Sequence, residues 1–154
     1  MGINSRQAGA YPKSRQQEGN RMFKRINSKD LKPRQKENFN FQKVAAVLAD
    51  YGYNCIRLSD DWEGADFIAC HIDGNTFLKV QLKGRLTFMK KYINKNIYIA
   101  FREKGECYIY PHDEVLEEKE LKLIKDSDSW KSHGAYSWPR MTKKLKEHMA
   151  QYAR

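Results

Sequence analysis

Three side chains with chemistry to offer lie in the stretch EGADFIACHIDGNTFLKVQLKGR, from Glu63 to Arg85: an acid at Asp66, an amide at Gln81 and an amine at Lys83. Successive residues of a strand point to opposite faces. In 76–83, Leu78, Val80 and Leu82 therefore share one face, and Phe77, Lys79, Gln81 and Lys83 share the other. Asp73-Gly74-Asn75 reads as a hairpin turn, and pairing through it carries Asp66 to the end near Lys83, one strand over. An acid, an amide and an amine then meet at one end of a sheet, where each buried polar group without a partner costs about 1–3 kcal/mol. A salt bridge between Asp66 and Lys83 in a basic globular domain is one explanation; the working groups of a catalyst are the other. The salt bridge leaves Gln81 and the uncrowded Gly64-Ala65 approach to Asp66 without a purpose.

The flanking segments supply what such a site needs. Pro33 suits the first turn of a helix, and Phe41, Val44, Ala45, Leu48 and Tyr51 follow on one face until Gly52, predicting an amphipathic helix over 33–51. Glu37 falls on that face one turn before Phe41, either as a first-turn carboxylate favoured by the helix dipole or as an acid aimed at the sheet. Strand-like runs follow at 53–58, 65–72, 76–83, 96–101 and 107–111, with a second hairpin signal at 103–106. A helix over about 113–125, a polar break through DSDSWKSHGAYS, and a last helix from about Pro139 capped by Ser137 complete the pattern. The order α-β-β-β-β-β-α-α predicts an α/β (α+β) domain with a mostly antiparallel or mixed sheet of about five strands flanked by helices.

A chain of 154 residues is sized for one domain. The expected division is a flexible basic arm over 1–28 and a single domain over 29–154. Cys55, Cys70 and Cys107 are odd in number and form no CxxC pair, which argues against a disulfide framework or a zinc site. With no apolar run of about 18–20 residues and no signal-peptide core, the expectation is a soluble, cytoplasmic protein without a membrane partner.

The net charge of +10 favours a polyanion. Ten of the 29 Lys/Arg fall within residues 1–36, where the arm either tracks phosphates or does nothing. The window Gly74–Arg102 has no acidic residue and interleaves its cations with Phe88, Tyr92 and Tyr98. Its Lys79, Arg85, Lys90, Lys91 and Lys95, with Arg140 and Lys143 near the last helix, are the expected nucleic-acid contacts; a solvated lysine-rich face is the plain alternative.

The order helix, GADFI, hairpin, VQLKGR resembles the PD-(D/E)XK nuclease superfamily over about residues 33–111, in the QxK form seen in Mrr-like restriction endonucleases and resolvase-like relatives. The resemblance implies a restriction-endonuclease-like core and a metal-dependent endonuclease that hydrolyses DNA. Asp66 becomes the metal-binding carboxylate, Gln81 a second ligand or water-orienting group through its amide oxygen, Lys83 the lysine that positions or activates water, and Glu37 the acid of the first helix. Magnesium or manganese is the implied cofactor, DNA the implied partner with RNA not excluded, and a homodimer is among the assemblies allowed. Gln81 removes one negative charge from the usual pattern, and the span 84–95 is short where many members carry a helix. A catalytically silent DNA-binding module and an RNA-processing nuclease are the alternatives.

Other chemistry-bearing residues have simpler readings. Asp60, Asp61 and Glu63 belong to a polar turn before Gly64, His71 and His112 to strand ends, and Tyr136 and Trp138 to the anchoring of the last helix more than to base stacking.

Overall fold

The computed structural model describes residues 22–154. Most of the expected arm, residues 1–21, lies outside the described residues; Ser28–Asp30 form one 3₁₀ turn capped by Asn27. Helix α1, Pro33–Asp50, starts where proline tolerates the loss of its N–H. Gln35 Oε1 accepts the Lys32 N–H at 3.0 Å, and Gly52, at φ +82°, ends the helix in a left-handed conformation that glycine adopts at little cost.

The five long strands are β1 (Tyr53–Trp62), β2 (Ala65–His71), β3 (Phe77–Lys83), β5 (Ile97–Glu103) and β6 (Glu106–Pro111). They form one sheet in the order β1-β2-β3-β5-β6, in which only β3 and β5 run parallel. A parallel pair cannot be joined by a tight turn. The crossover here holds a short strand β4 (Thr87–Met89) and one 3₁₀ turn (Lys90–Tyr92) in place of a helix. The result is the mixed α+β architecture that the resemblance implies: a five-stranded mixed sheet flanked by helices, with the carboxylate and lysine strands side by side.

The sheet buries both faces against different partners. On one, Val44 and Leu48 of α1 pack on Phe67, Ala69, Val80, Ala100, Cys107 and Ile109. On the other, Ile99, Phe101, Tyr108 and Tyr110 meet Leu86, Phe88 and Tyr92 of the crossover and the apolar residues of the C-terminal elements. All three cysteines are free. No helix among the described residues is long and apolar enough to cross a membrane.

The C-terminal expectations need correction. The helix expected over 113–125 is a short α2 (His112–Leu116) followed by a 3₁₀ segment (Lys119–Asp126), which turns Leu121 and Ile124 into the core. The polar break is structured: Ser127 Oγ caps α3 (Asp128–His133) by accepting the Trp130 N–H, Trp130 is buried, and β7 (Ala135–Ser137) pairs with β4. Ser137 therefore ends a strand, and the last helix, α4 (Lys143–Met149), starts later under a Thr142 cap. Cross-strand pairing with Thr87–Met89 overrides the local polarity of this stretch.

His112 locks β4 to the rest. Its ring is completely buried, Nε2 accepts the Met89 N–H at 3.1 Å, and Nδ1 lies 2.7 Å from Asp113 Oδ1. These partners require a proton on Nδ1 and none on Nε2. Burial holds the pKa below its ordinary value, with Asp113 opposing. The unfolded chain then binds a proton below about pH 6.5 that the folded chain refuses. The histidine's contribution is full above that pH and is lost as pH falls toward the depressed folded value. In urea denaturation, the parent is expected to lose stability below about pH 6.5, and His112→Gln, although weaker overall, is expected to lack that increment; identical pH slopes in the two proteins would contradict this assignment.

Candidate active site

The β2–β3 register runs from Cys70↔Phe77 to Phe67↔Val80, so one step further Asp66 stands opposite Gln81 on the same face. Here the carboxylate takes over from the backbone ladder. Asp66 Oδ2 accepts the Leu82 N–H at 2.8 Å and the Gln81 side-chain amide at 2.7 Å, and that amide also reaches Leu82 O at 3.3 Å. Neither Asp66 Oδ1 nor Gln81 Oε1 accepts a hydrogen bond from any described residue. The geometry leaves two hard oxygens, a carboxylate's and an amide's, without a donor among the described residues.

Lys83, two residues on, shares the face of Gln81, yet it makes no ion pair with Asp66. Its ammonium instead lies 5.3 Å from the centre of the Tyr92 ring, which Lys91 also approaches, at 5.2 Å. A half-desolvated cation gains about 0.5–2 kcal/mol from such a ring. The ring is wedged: a Cβ on Gly64 would come within 3.0 Å of Tyr92 Cδ1, and Gly64 sits at φ +89°. The uncrowded lead-in to Asp66 thus makes room for the aromatic seat of Lys83. Tyr92 was legible only as one of several aromatics in the acid-free window.

Both ionisable groups are pushed toward their neutral forms. Burial raises the Asp66 pKa, with Glu37 and Asp61 adding to the rise and the Leu82 N–H and Lys83 opposing it. Burial and then Lys91 lower the Lys83 pKa, against Asp66 and Asp61. Burial, followed by Asp66 and Asp61, drives the Tyr92 phenol up to about 12. Groups perturbed together in this way cluster at functional sites.

Glu37 departs from its place on the apolar face. It is exposed on the early turns of α1, beside a cleft with Arg34, Asn38, Arg57 and Ser59, and reaches Asp66 by charge alone. Asp61 Oδ1 accepts the Gly64 N–H at 2.8 Å and shapes the β1–β2 turn. No three acidic, histidine or cysteine side chains come together as a metal cluster among the described residues.

The expected nucleic-acid contacts divide. Lys79 shares the site's face, and Arg85 is exposed just beyond β3. Arg140 is carried to the same end of the sheet, because the Trp138 N–H donates to Leu86 O at 3.1 Å and the Met141 N–H to Glu103 Oε1 at 3.1 Å. Lys143 is exposed on the first turn of α4. Lys95 spends its charge on Glu63 at 2.6 Å, and Lys90 lies over the Trp130 ring. His71 pairs with Asp73 in the hairpin. Tyr136 and Trp138 pack edge to face on each other and lie partly buried against the core.

No family model matches the chain, and no curated protein matches it. Among solved structures, a bacterial homing endonuclease is similar at 13% identity over 79% of this chain and 86% of that one, with a TM-score of 0.48. A Holliday junction resolvase from the archaeal hyperthermophile Archaeoglobus fulgidus is similar at 15% identity over 46% of this chain and 74% of that one, with a TM-score of 0.36.

The raised Asp66 pKa has a stability consequence. Between the unfolded value near 3.9 and the higher folded value, the folded state holds more protons, so stability falls as pH rises through that window. Ionised Asp66 therefore destabilises the fold at neutral pH. Asn at this position keeps an oxygen for the Leu82 and Gln81 donors, so Asp66→Asn is expected to melt at or above the parent temperature at pH 7, with the gap closing near pH 3. Asp66→Leu, which strands both donors, is expected to lose about 1–3 kcal/mol per donor; thermal melts across pH check the pair.

Proposed function

We propose that this chain is a metal-dependent endonuclease that hydrolyses phosphodiester bonds, with DNA as its substrate. The reading rests on one observation above all: Asp66 is held through a single oxygen by Gln81 and Leu82, leaving Asp66 Oδ1 and Gln81 Oε1 beside a lysine that does not neutralise the carboxylate. The donor set fits Mg²⁺ or Mn²⁺. Such ions take oxygen ligands, and Mg²⁺ is commonly bound by one or two carboxylates with water and substrate phosphate completing the shell. The chemistry the cation supplies when bound is charge neutralisation at the phosphate and a lowered pKa for water.

The chain's own residues divide the remaining work. Asp66 and Gln81 would hold the cation from adjacent strands, with the Leu82 N–H bonded to the carboxylate's other oxygen. Lys83, kept over Tyr92 and away from Asp66, holds positive charge where an attacking water and a phosphate oxygen meet. Glu37 acts at longer range, through its charge. With only one carboxylate at the strand pair, this reading takes one tightly held cation. The same scarcity of acids favours the second reading, a catalytically silent DNA-binding module.

Supercoiled plasmid incubated with Mg²⁺ or Mn²⁺ is expected to be nicked, and EDTA is expected to stop it; a labelled RNA in a parallel reaction identifies the preferred backbone. Asp66→Asn is expected to abolish cleavage while keeping or strengthening DNA binding, since a ligand and a repulsive charge leave together. Lys83→Ala is expected to cost about 10²–10⁴-fold in rate with metal binding retained, and Gln81→Glu to bind the cation more tightly with activity kept or raised. A folded parent that binds DNA without cleaving DNA or RNA under any divalent ion would leave the binding module standing.

A further inference from the structure

A second cluster of cations lies at the same end of the sheet, apart from the residues above. Lys29 of the 3₁₀ turn, Lys36 of α1, Arg102 of β5 and Lys104 of the β5–β6 turn line one cleft with Gly84 and Gly105, and no acidic side chain lines it. None of the four cations is ion-paired among the described residues. The Arg102 guanidinium is held 5.5 Å from the centre of the Phe39 ring, which fixes its place without cancelling its charge. Nothing lies within 4 Å of where a Cβ would stand on Gly84 or Gly105, so the chain is open to close approach at both glycines.

Four like charges in one cleft repel one another over distances within the Debye length, about 8–10 Å. A polyanion relieves that repulsion, and phosphates do so with release of their counterions. Position selects among anions. Gly84 directly follows Lys83, so this cleft begins one residue from the proposed active site and continues around the end of the sheet to α1.

We infer that this cleft is a phosphate-backbone site, in which Lys29, Lys36, Arg102 and Lys104 hold the nucleic-acid strand next to the phosphate presented to Asp66 and Lys83. The inference rests on the nuclease reading for its substrate. It joins Arg102 of the acid-free window to Lys29, Lys36 and Lys104 outside it, and gives the strand a direction, from Lys83 past Gly84 toward α1.

Binding measured without cleavage tests it. The full chain in EDTA is titrated against a fluorescein-labelled DNA duplex by anisotropy over a range of salt. Lys36 and Lys104 are both exposed and unbonded, so Lys36→Gln with Lys104→Gln is expected to leave the melting temperature unchanged. It is expected to weaken binding about tenfold or more and to lower the slope of log affinity against log salt by about 1.8, near 0.9 per lost phosphate contact. Lys119→Gln with Lys122→Gln removes equal charge from the 3₁₀ segment on the C-terminal side and is expected to leave the slope unchanged. Equal slope changes in the two double variants, or none in the first, would overturn the cleft. So would displacement of the duplex by a few millimolar inorganic phosphate at matched ionic strength, which marks a site for free anion. A parent that never cleaves but shows the slope difference sinks the nuclease reading alone; a parent that cleaves but shows none sinks this inference alone.

Discussion

The constraint on which the site depends is the way the β2–β3 ladder ends. At Phe67↔Val80 the backbone pairing is regular; one residue later the Asp66 carboxylate, not a main-chain carbonyl, receives the Leu82 N–H. The acid is thereby built into the fold. Its Oδ2 satisfies a strand donor and the Gln81 amide, and the period of the strand then fixes Gln81 and Lys83 on the same face. The lysine is seated over the Tyr92 ring and makes no ion pair with the carboxylate. The simplest expectation for an acid and an amine at a sheet end, a salt bridge, is therefore not what forms.

The lysine is held from the other side by the crossover. Joining two parallel strands through thirteen residues, 84–96, without a helix requires another anchor, and β4 finds it in β7, in the Tyr110 hydroxyl donating to Thr87 O at 2.5 Å, and in buried His112. These bonds place Tyr92 over Gly64 and under Lys83. The C-terminal segment serves the site from a distance, since without β7 and Trp130 the strand that delivers Tyr92 has no partner.

Strand period and hairpin chemistry made the sheet legible, because both are local. Asp73-Gly74-Asn75 brought Asp66 to the end near Lys83, one strand over, and the observed register sets it opposite Gln81. Helix α1 was legible from Pro33, Gly52 and its apolar stripe. What local pattern could not carry was pairing between distant segments: β7 hides in a polar stretch and exists because Thr87–Met89 needs a partner. Glu37 shows a related limit. Helical spacing aligned it with Phe41, but burial begins further along the helix, so the same stripe that buries Val44 leaves Glu37 exposed. The cation cleft was unreadable for the same reason, since Lys29 and Lys36 are brought to Arg102 and Lys104 from a stretch more than sixty residues away in the chain.

The distribution of charge at this end of the sheet has its own logic. Burial raises the Asp66 pKa, and the charges of Glu37 and Asp61 add to that rise. Cations flank these acids along the sheet end: Lys83 and Lys91 over Tyr92, and Lys36, Arg102 and Lys104 in the neighbouring cleft. A phosphate backbone is attracted by this rim at any distance within screening range, yet the acids at the centre repel the phosphate that must come nearest. On the proposed reading, a divalent cation reverses the sign of the centre alone. Binding then depends on the rim and on salt, while productive approach depends on the centre and on metal, so one short stretch of acid, amide and amine can decide reaction without deciding affinity.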